Sequence, residues 1–124
     1  MAITIEHLRS LLTEPRFATS TGEALGHVAD LAASLSHLRV HYEVLPPGHR
    51  SSRAHHHTAR EECVYVICGH VELELGGEPR PLREGELAAL SAGPPSHAIW
   101  NRSNAPAELL VFSATPVDDE VVYE

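Results

Sequence analysis

The chain has 124 residues, a formal net charge of −8 and 43% hydrophobic residues. That length is one domain, able to bury roughly two-thirds of its surface on folding, and the apolar content excludes disorder as the state of the whole chain. The acidic balance offers no electrostatic footprint for nucleic acid or an anionic membrane surface, so neither is expected as a partner.

Residues 3–12 place Ile5, Leu8, Leu11 and Leu12 at helical spacing, with Thr4 as a possible cap and Glu14 and Pro15 as a stop. A short N-terminal strand is the alternative. Ser, Thr, Gly and Ala dominate residues 16–36, where 24–33 reads as either helix or a strand and a turn. From Ser36 the pattern is β. Leu38, Val40, Tyr42 and Val44 alternate with Arg39, His41 and Glu43 until Pro46, Pro47 and Gly48 end the run.

A strand carrying three consecutive histidines comes next, and then the apolar run Glu62–Cys68, broken by Gly69. Val71, Leu73 and Leu75 alternate with Glu72 and Glu74, and Gly76 and Gly77 supply a two-residue hairpin turn. Pro79 and Pro81 confine the return strand to a sheet edge. Leu87–Leu90, 97–101 and 108–115 complete the strands. Many short strands with Gly/Pro punctuation predict a sandwich or barrel.

No apolar run reaches the length of a membrane span, and the start MAITIEHLRS lacks the basic and apolar regions of a signal peptide. Cys63 and Cys68 lie five apart in one predicted strand, hence on opposite faces, so no disulfide is expected between them. Free thiols without a leader predict a cytoplasmic protein.

The informative stretch is GHRSSRAHHHTAREECVYVICG, residues 48–69. His55 and His57 are two apart and so share a strand face, and Glu62 heads the next strand. His97 opens a later strand, with Asn101 four residues on. Three imidazoles and a carboxylate brought together on strands make a transition-metal site. His56 must face away from its neighbours. Glu61 competes with Glu62, but Glu62 shares parity with Val64 and Val66.

These residues resemble the cupin family. The first cupin motif is matched by Gly48, His55, His57, Glu62 and Gly69, and the second by Gly85, Gly93, His97 and Asn101. There are three departures. The spacer from Gly48 to His55 is one residue longer than the common form, Ser91 replaces the usual Pro, and three residues rather than two separate Gly93 from His97. The extra residue makes His97 dependent on a bulge in that loop.

The resemblance implies an all-β double-stranded β-helix, a jelly-roll barrel with the metal at its mouth. Residues 36–116 would form the barrel, 1–35 an N-terminal extension with a helix or strand, and 117–124 a tail. The resemblance also implies one divalent transition metal (Fe, Mn, Ni or Zn) held by His55, His57, Glu62 and His97, with two positions open to ligand.

Around that centre Arg39, His41, His49, Val64, Val66 and Ile99 are pocket candidates, with His41 and His49 at its edge and Arg39 as a clamp for a substrate carboxylate. Tyr42 and Trp100 fall on opposite faces to the pocket. Cys63, Tyr65 and Ile67 form an outward apolar stripe, either packing or a dimer contact. A symmetric homodimer is the expected assembly, with the N-terminal thirty or so residues able to cross to the partner.

Two functional classes follow. One is a metal-dependent enzyme acting on a small polar or acidic molecule, with oxidative, dioxygenase-like chemistry. The other is a non-catalytic module that binds a metal and a small ligand as a sensor or binding protein. A complete ligand set favours chemistry. The absence of a second acid or base from the two motifs favours binding. Fold does not decide between them.

Overall fold

The computed structural model describes residues 2–124. One short helix, α1 (Ile5–Ser10), precedes β1 (Glu14–Phe17), β2 (Ala24–Asp30), β3 (Leu38–Leu45), β4 (His55–His57), β5 (Glu62–Cys68) and β6 (His70–Leu75). Then follow β7 (Glu78–Arg83), β8 (Leu87–Leu90), β9 (His97–Trp100), β10 (Ala107–Ala114) and β11 (Val121–Tyr123). The strands form two sheets, ordered β1-β2-β3-β10-β5-β8 and β11-β4-β9-β6-β7, with antiparallel pairing in both. None of the described helices is long and apolar enough to cross a membrane.

The N-terminal helix forms where its spacing predicts, with the Thr4 hydroxyl accepting from the His7 amide as its cap. Residues 24–33 resolve as strand and turn. The N-terminal segment is built into the sheet, because β2 pairs along β3 and β1 along β2. The tail likewise supplies β11, which pairs with all three histidines of β4. The proline-bearing β7 lies at a sheet edge, as its missing amide hydrogens require.

The core fills the space between the sheets. Leu45, Val64, Val66, Leu109 and Val111 come from the first sheet, and Val71, Leu73, Leu82 and Ile99 from the second. On β10 the period is strict, with Ala107, Leu109, Val111 and Ser113 buried and their neighbours half-buried. Asn101, fully buried, donates to the Leu45 and Ala105 carbonyls and accepts from Ser103, so this motif residue ties a loop at the closed end.

On the outside, α1 is clamped to the first sheet by one carboxylate. Arg9 donates twice to Glu108, at 2.8 and 3.0 Å, and Tyr42 Oη donates to the same carboxylate at 2.6 Å. Trp100 sits on the outer side of the second sheet, its Nε1 donating to Glu74 and its ring lying against the Arg50 and Arg102 guanidinium groups. Cys63 and Cys68 are free thiols, as their opposed positions predict.

Candidate metal centre

The site lies at the end of the barrel opposite Asn101, and strand pairing builds it. β4 presents His55 and His57 inward and turns His56 outward, where its Nδ1 meets Ser96 Oγ at 3.3 Å. His97 is the antiparallel partner of His55 across β4 and β9. Glu62 enters from the facing sheet at the start of β5, whereas Glu61 is exposed just before the strand.

The donor atoms of His55, His57 and Glu62 all lie within 4.8 Å of one another. His97 Nε2 is 3.2 Å and His57 Nε2 3.8 Å from Glu62 Oε2. The ring centroids of His55 and His97 are 4.7 Å apart. His97 therefore stands against Glu62 despite the extra residue before it, while the donors that all lie close to one another are those of His55, His57 and Glu62.

The polar partners of the rings test whether these residues suit a metal. His55 Nδ1 donates to the Arg53 carbonyl at 2.7 Å, and His57 Nδ1 to Asp119 Oδ2 at 2.8 Å. A carbonyl and an ionised carboxylate can only accept, so each Nδ1 carries the proton and each Nε2 presents its lone pair. This is the outer arrangement that orients histidine for metal ligation. Donors about 2.1 Å from a common ion and adjacent on it sit about 3 Å apart, close to the His97–Glu62 separation. His55, His57 and Glu62 therefore fit a divalent transition metal, with His97 beside Glu62 as the candidate fourth ligand.

The electrostatics agree with this donor set. Burial lowers the His55 pKa, outweighing the hydrogen bond to the Arg53 carbonyl, so the neutral, ligating form is favoured. Burial alone would raise Glu62. The hydrogen bond from His97 and the fields of His57, His97 and His55 hold it instead below its ordinary value, ionised. Asp119 likewise overcomes its burial. The amides of Ala59 and Arg60 and the His57 ring bring it down to about 2.

Glu62 and the three histidines open onto a cavity of about 380 Å³, within the ordinary range for small-molecule sites. Arg39, His41, Val64 and Ile99 line it, as expected. His49 and Val66 do not. His49 turns back toward β2, its Nδ1 2.9 Å from the Leu25 carbonyl. Val66 shares the face of Glu62 but lies further down the strand, fully buried in the core.

Sequence reasoning missed Arg16 and Arg60 in the cavity wall, Asp119 behind His57, and Tyr123 at the rim. It also missed Glu43, which is fully buried beside His41. A strand signal was present in Val121–Tyr123, but Arg16 and Asp119 lie in segments with no periodicity to place them.

Cross-strand register fixes the layout of the cavity. Arg39, Ser113 and Glu62 form one row across β3, β10 and β5, and His41, Val111 and Val64 form the next. Two strand spacings separate Arg39 from Glu62, or about 10 Å at the backbone. Arg39 thus stands two strands from Glu62 in the same sheet, with Arg16 and Asp30 also in the cavity lining.

Comparison with known proteins gives the same family. The Cupin_2 profile, described as cupin domain, matches residues 41–113. None of the curated proteins matches the chain.

Among solved structures, one titled a putative sugar phosphate isomerase from Acidithiobacillus ferrooxidans is 23% identical, with a TM-score of 0.89, and the alignment covers 98% of this chain and 80% of that one. A structure titled a sugar phosphate isomerase from a cupin superfamily, from Silicibacter pomeroyi, is 27% identical at a TM-score of 0.81, with 100% and 82% covered. A predicted oxalate decarboxylase from Thermotoga maritima is 21% identical at 0.73, with 94% and 100% covered. With the profile spanning more than half of its length, and its two facing sheets matching the jelly-roll of these structures, the chain belongs to the cupin family.

Proposed function

We propose that the protein is a metal-dependent enzyme acting on a compact anionic molecule with neighbouring oxygen donors, such as a phosphorylated sugar or a hydroxy acid. One observation carries this reading. The cluster of His55, His57, Glu62 and His97 borders the same small cavity as Arg16, Arg39 and Arg60, three cationic residues against Asp30 in the rest of the lining. In a chain of net charge −8, a cavity wall with that cationic character selects anions locally against the sign of the whole surface.

In this reading the four clustered residues hold the ion, and Asp119 and the Arg53 carbonyl keep the rings of His57 and His55 aligned. The bound ion would polarise an oxygen of the substrate as a Lewis acid. Arg39 and Arg16 anchor the anionic end. Val64 and Ile99 present apolar surface and limit water beside the reacting oxygens. The similarity to structures titled sugar phosphate isomerases supports a phosphorylated sugar as the substrate.

A second reading is oxidative. The three-His-one-Glu donor set is close to the facial triad of non-haem iron oxygenases, and the aliphatic walls favour it. The test loads metal-stripped protein with Fe(II), Mn(II), Ni(II) or Zn(II). Binding of ribose 5-phosphate, fructose 6-phosphate, oxalate and 2-oxoglutarate is then measured, with oxygen uptake by the iron form. The proposal expects a phosphorylated sugar to bind in a metal-dependent way, at least tenfold more weakly in Arg39→Ala. Oxygen uptake with an acid would instead establish the oxidative reading. Binding with no turnover of any kind would leave a metal- and ligand-binding module.

A further inference from the structure

We propose that His41 is the general base of this site and Glu43 its positioning residue, so that the reaction is a proton transfer between adjacent carbons of the bound sugar. The proposal rests on the substrate reading above and names its chemistry. His41 lines the cavity on the same strand as Arg39, in the row next to that of Arg39 and Glu62. Its Nε2 faces Glu43 Oε1 at 3.5 Å, which leaves Nδ1 for the cavity. Contacts of this kind are often long before substrate binds and tighten in the complex.

Glu43 is hard to account for as structure. It is 0% exposed and sits on the inward face of β3, in a row with Leu109 and Val66. Ser51 Oγ donates to Oε1 at 2.9 Å, and Oε2 has no hydrogen-bond partner among the described residues. A buried carboxylate with an unmet oxygen is destabilising. The fold nonetheless makes room for it, since a Cβ at Gly26 of β2 would collide with the carboxylate.

The arrangement is coherent if His41 acquires a proton during the reaction. Glu43 then fixes the tautomer with hydrogen on Nε2 and stabilises the imidazolium, the part a buried carboxylate plays behind a catalytic histidine. The other charged groups near His41 are Asp30, its register partner on β2, and Arg39 and Arg16 in the cavity wall.

The balanced step is as follows for an aldose. Nδ1 of His41 takes the C2 proton, the C2–H electrons form the C1–C2 double bond, and the C1 carbonyl pair moves onto O1. The O2 proton then passes to O1, the C2–O2 double bond forms, and the C1–C2 pair takes the proton from His41 onto C1. One proton has moved between carbons and one between oxygens, with no external oxidant or reductant. The reaction interconverts an aldose and a ketose.

The experiment incubates the protein, carrying its resident metal, in D2O with ribose 5-phosphate, ribulose 5-phosphate, glucose 6-phosphate and fructose 6-phosphate. Mass spectrometry reads carbon-bound deuterium, and calorimetry reads binding. The proposal expects deuterium in at least one bound sugar. It expects His41→Asn and His41→Gln, with metal content and circular dichroism unchanged, to lower kcat by about 10²- to 10⁴-fold. Glu43→Gln should lower kcat at least tenfold with KM within threefold, the split that a purely structural carboxylate would not give. Wild-type exchange rates in both His41 variants would overturn it. A sugar that binds but never exchanges would overturn it while leaving the substrate reading intact. Absence of binding by any of the four would remove the substrate reading and the proposal together.

Discussion

Asp119 performs two tasks with one carboxylate. Oδ2 accepts from His57 Nδ1 and holds that ring in the tautomer a metal requires, while Oδ1 accepts from the amides of Ala59 and Arg60 and fixes the turn after β4. Asp119→Ala should therefore weaken metal binding by about 10- to 100-fold while leaving all four candidate ligands in place, as a competition titration with a chromophoric chelator would show. The same groups set a pH dependence. His55 has a lowered pKa, so between that value and its unfolded value near ~6.5 the folded state binds fewer protons than the unfolded chain. Its contribution is complete above the unfolded value and is lost as pH falls below it. Glu62 and Asp119, also lowered, contribute above the ordinary carboxylate range and lose their contribution in acid, Asp119 as pH falls toward about 2. Metal-free protein should show urea midpoints that decline steadily from pH 7.5 to pH 4, and a flat profile would contradict these assignments. At this scale the histidines and Glu62 were legible because a strand places residues two apart on one face. Asp119 was not, because it is 62 positions from His57 in a segment without a pattern.

Among the elements, β3 decides the most. Its polar parity, Arg39, His41 and Glu43, faces the barrel interior, and from its apolar parity Tyr42 meets the Glu108 carboxylate that holds α1. An alternating strand states which residues share a face but not which face is inside. Register with β10, whose Leu109 and Val111 are core, settles that question. The proline-marked edge of β7 and the Gly76–Gly77 hairpin were legible for the opposite reason, since each is a local backbone constraint. β1 and β11 are short strands where local pattern is weak, and β11 pairs with the distant β4. The outer parity of β3 matters for α1, because Tyr42 supports the Glu108 carboxylate that Arg9 grips. Burial raises the Tyr42 hydroxyl well above its ordinary pKa, and the bond to Glu108 raises it further, so it stays a donor throughout the working pH range. Tyr42→Phe should cost about 1–2 kcal/mol in thermal or urea unfolding and loosen amide protection in α1, with the metal site unaffected.

For the whole molecule, the two sheets divide the labour. The space between them is core at one end and polar cavity at the other, so one fold stabilises itself and presents the site. The outer side of the first sheet is also apolar. Leu38 and Leu87 are exposed there, next to the half-buried Cys63, Tyr65 and Phe112. We propose that a second copy covers this face in a symmetric homodimer. Sedimentation velocity at tens of micromolar should give a dimer, and Leu87→Glu should shift it to monomer; a monomeric wild type would contradict the proposal. Every functional statement about this molecule depends on the metal centre, which is most directly tested by calorimetric titration of one divalent transition ion into metal-stripped protein. Wild type should take up one ion per chain, and His57→Ala and Glu62→Ala should each lose at least a hundredfold in affinity while remaining folded. Unchanged stoichiometry and affinity in both variants would contradict the account.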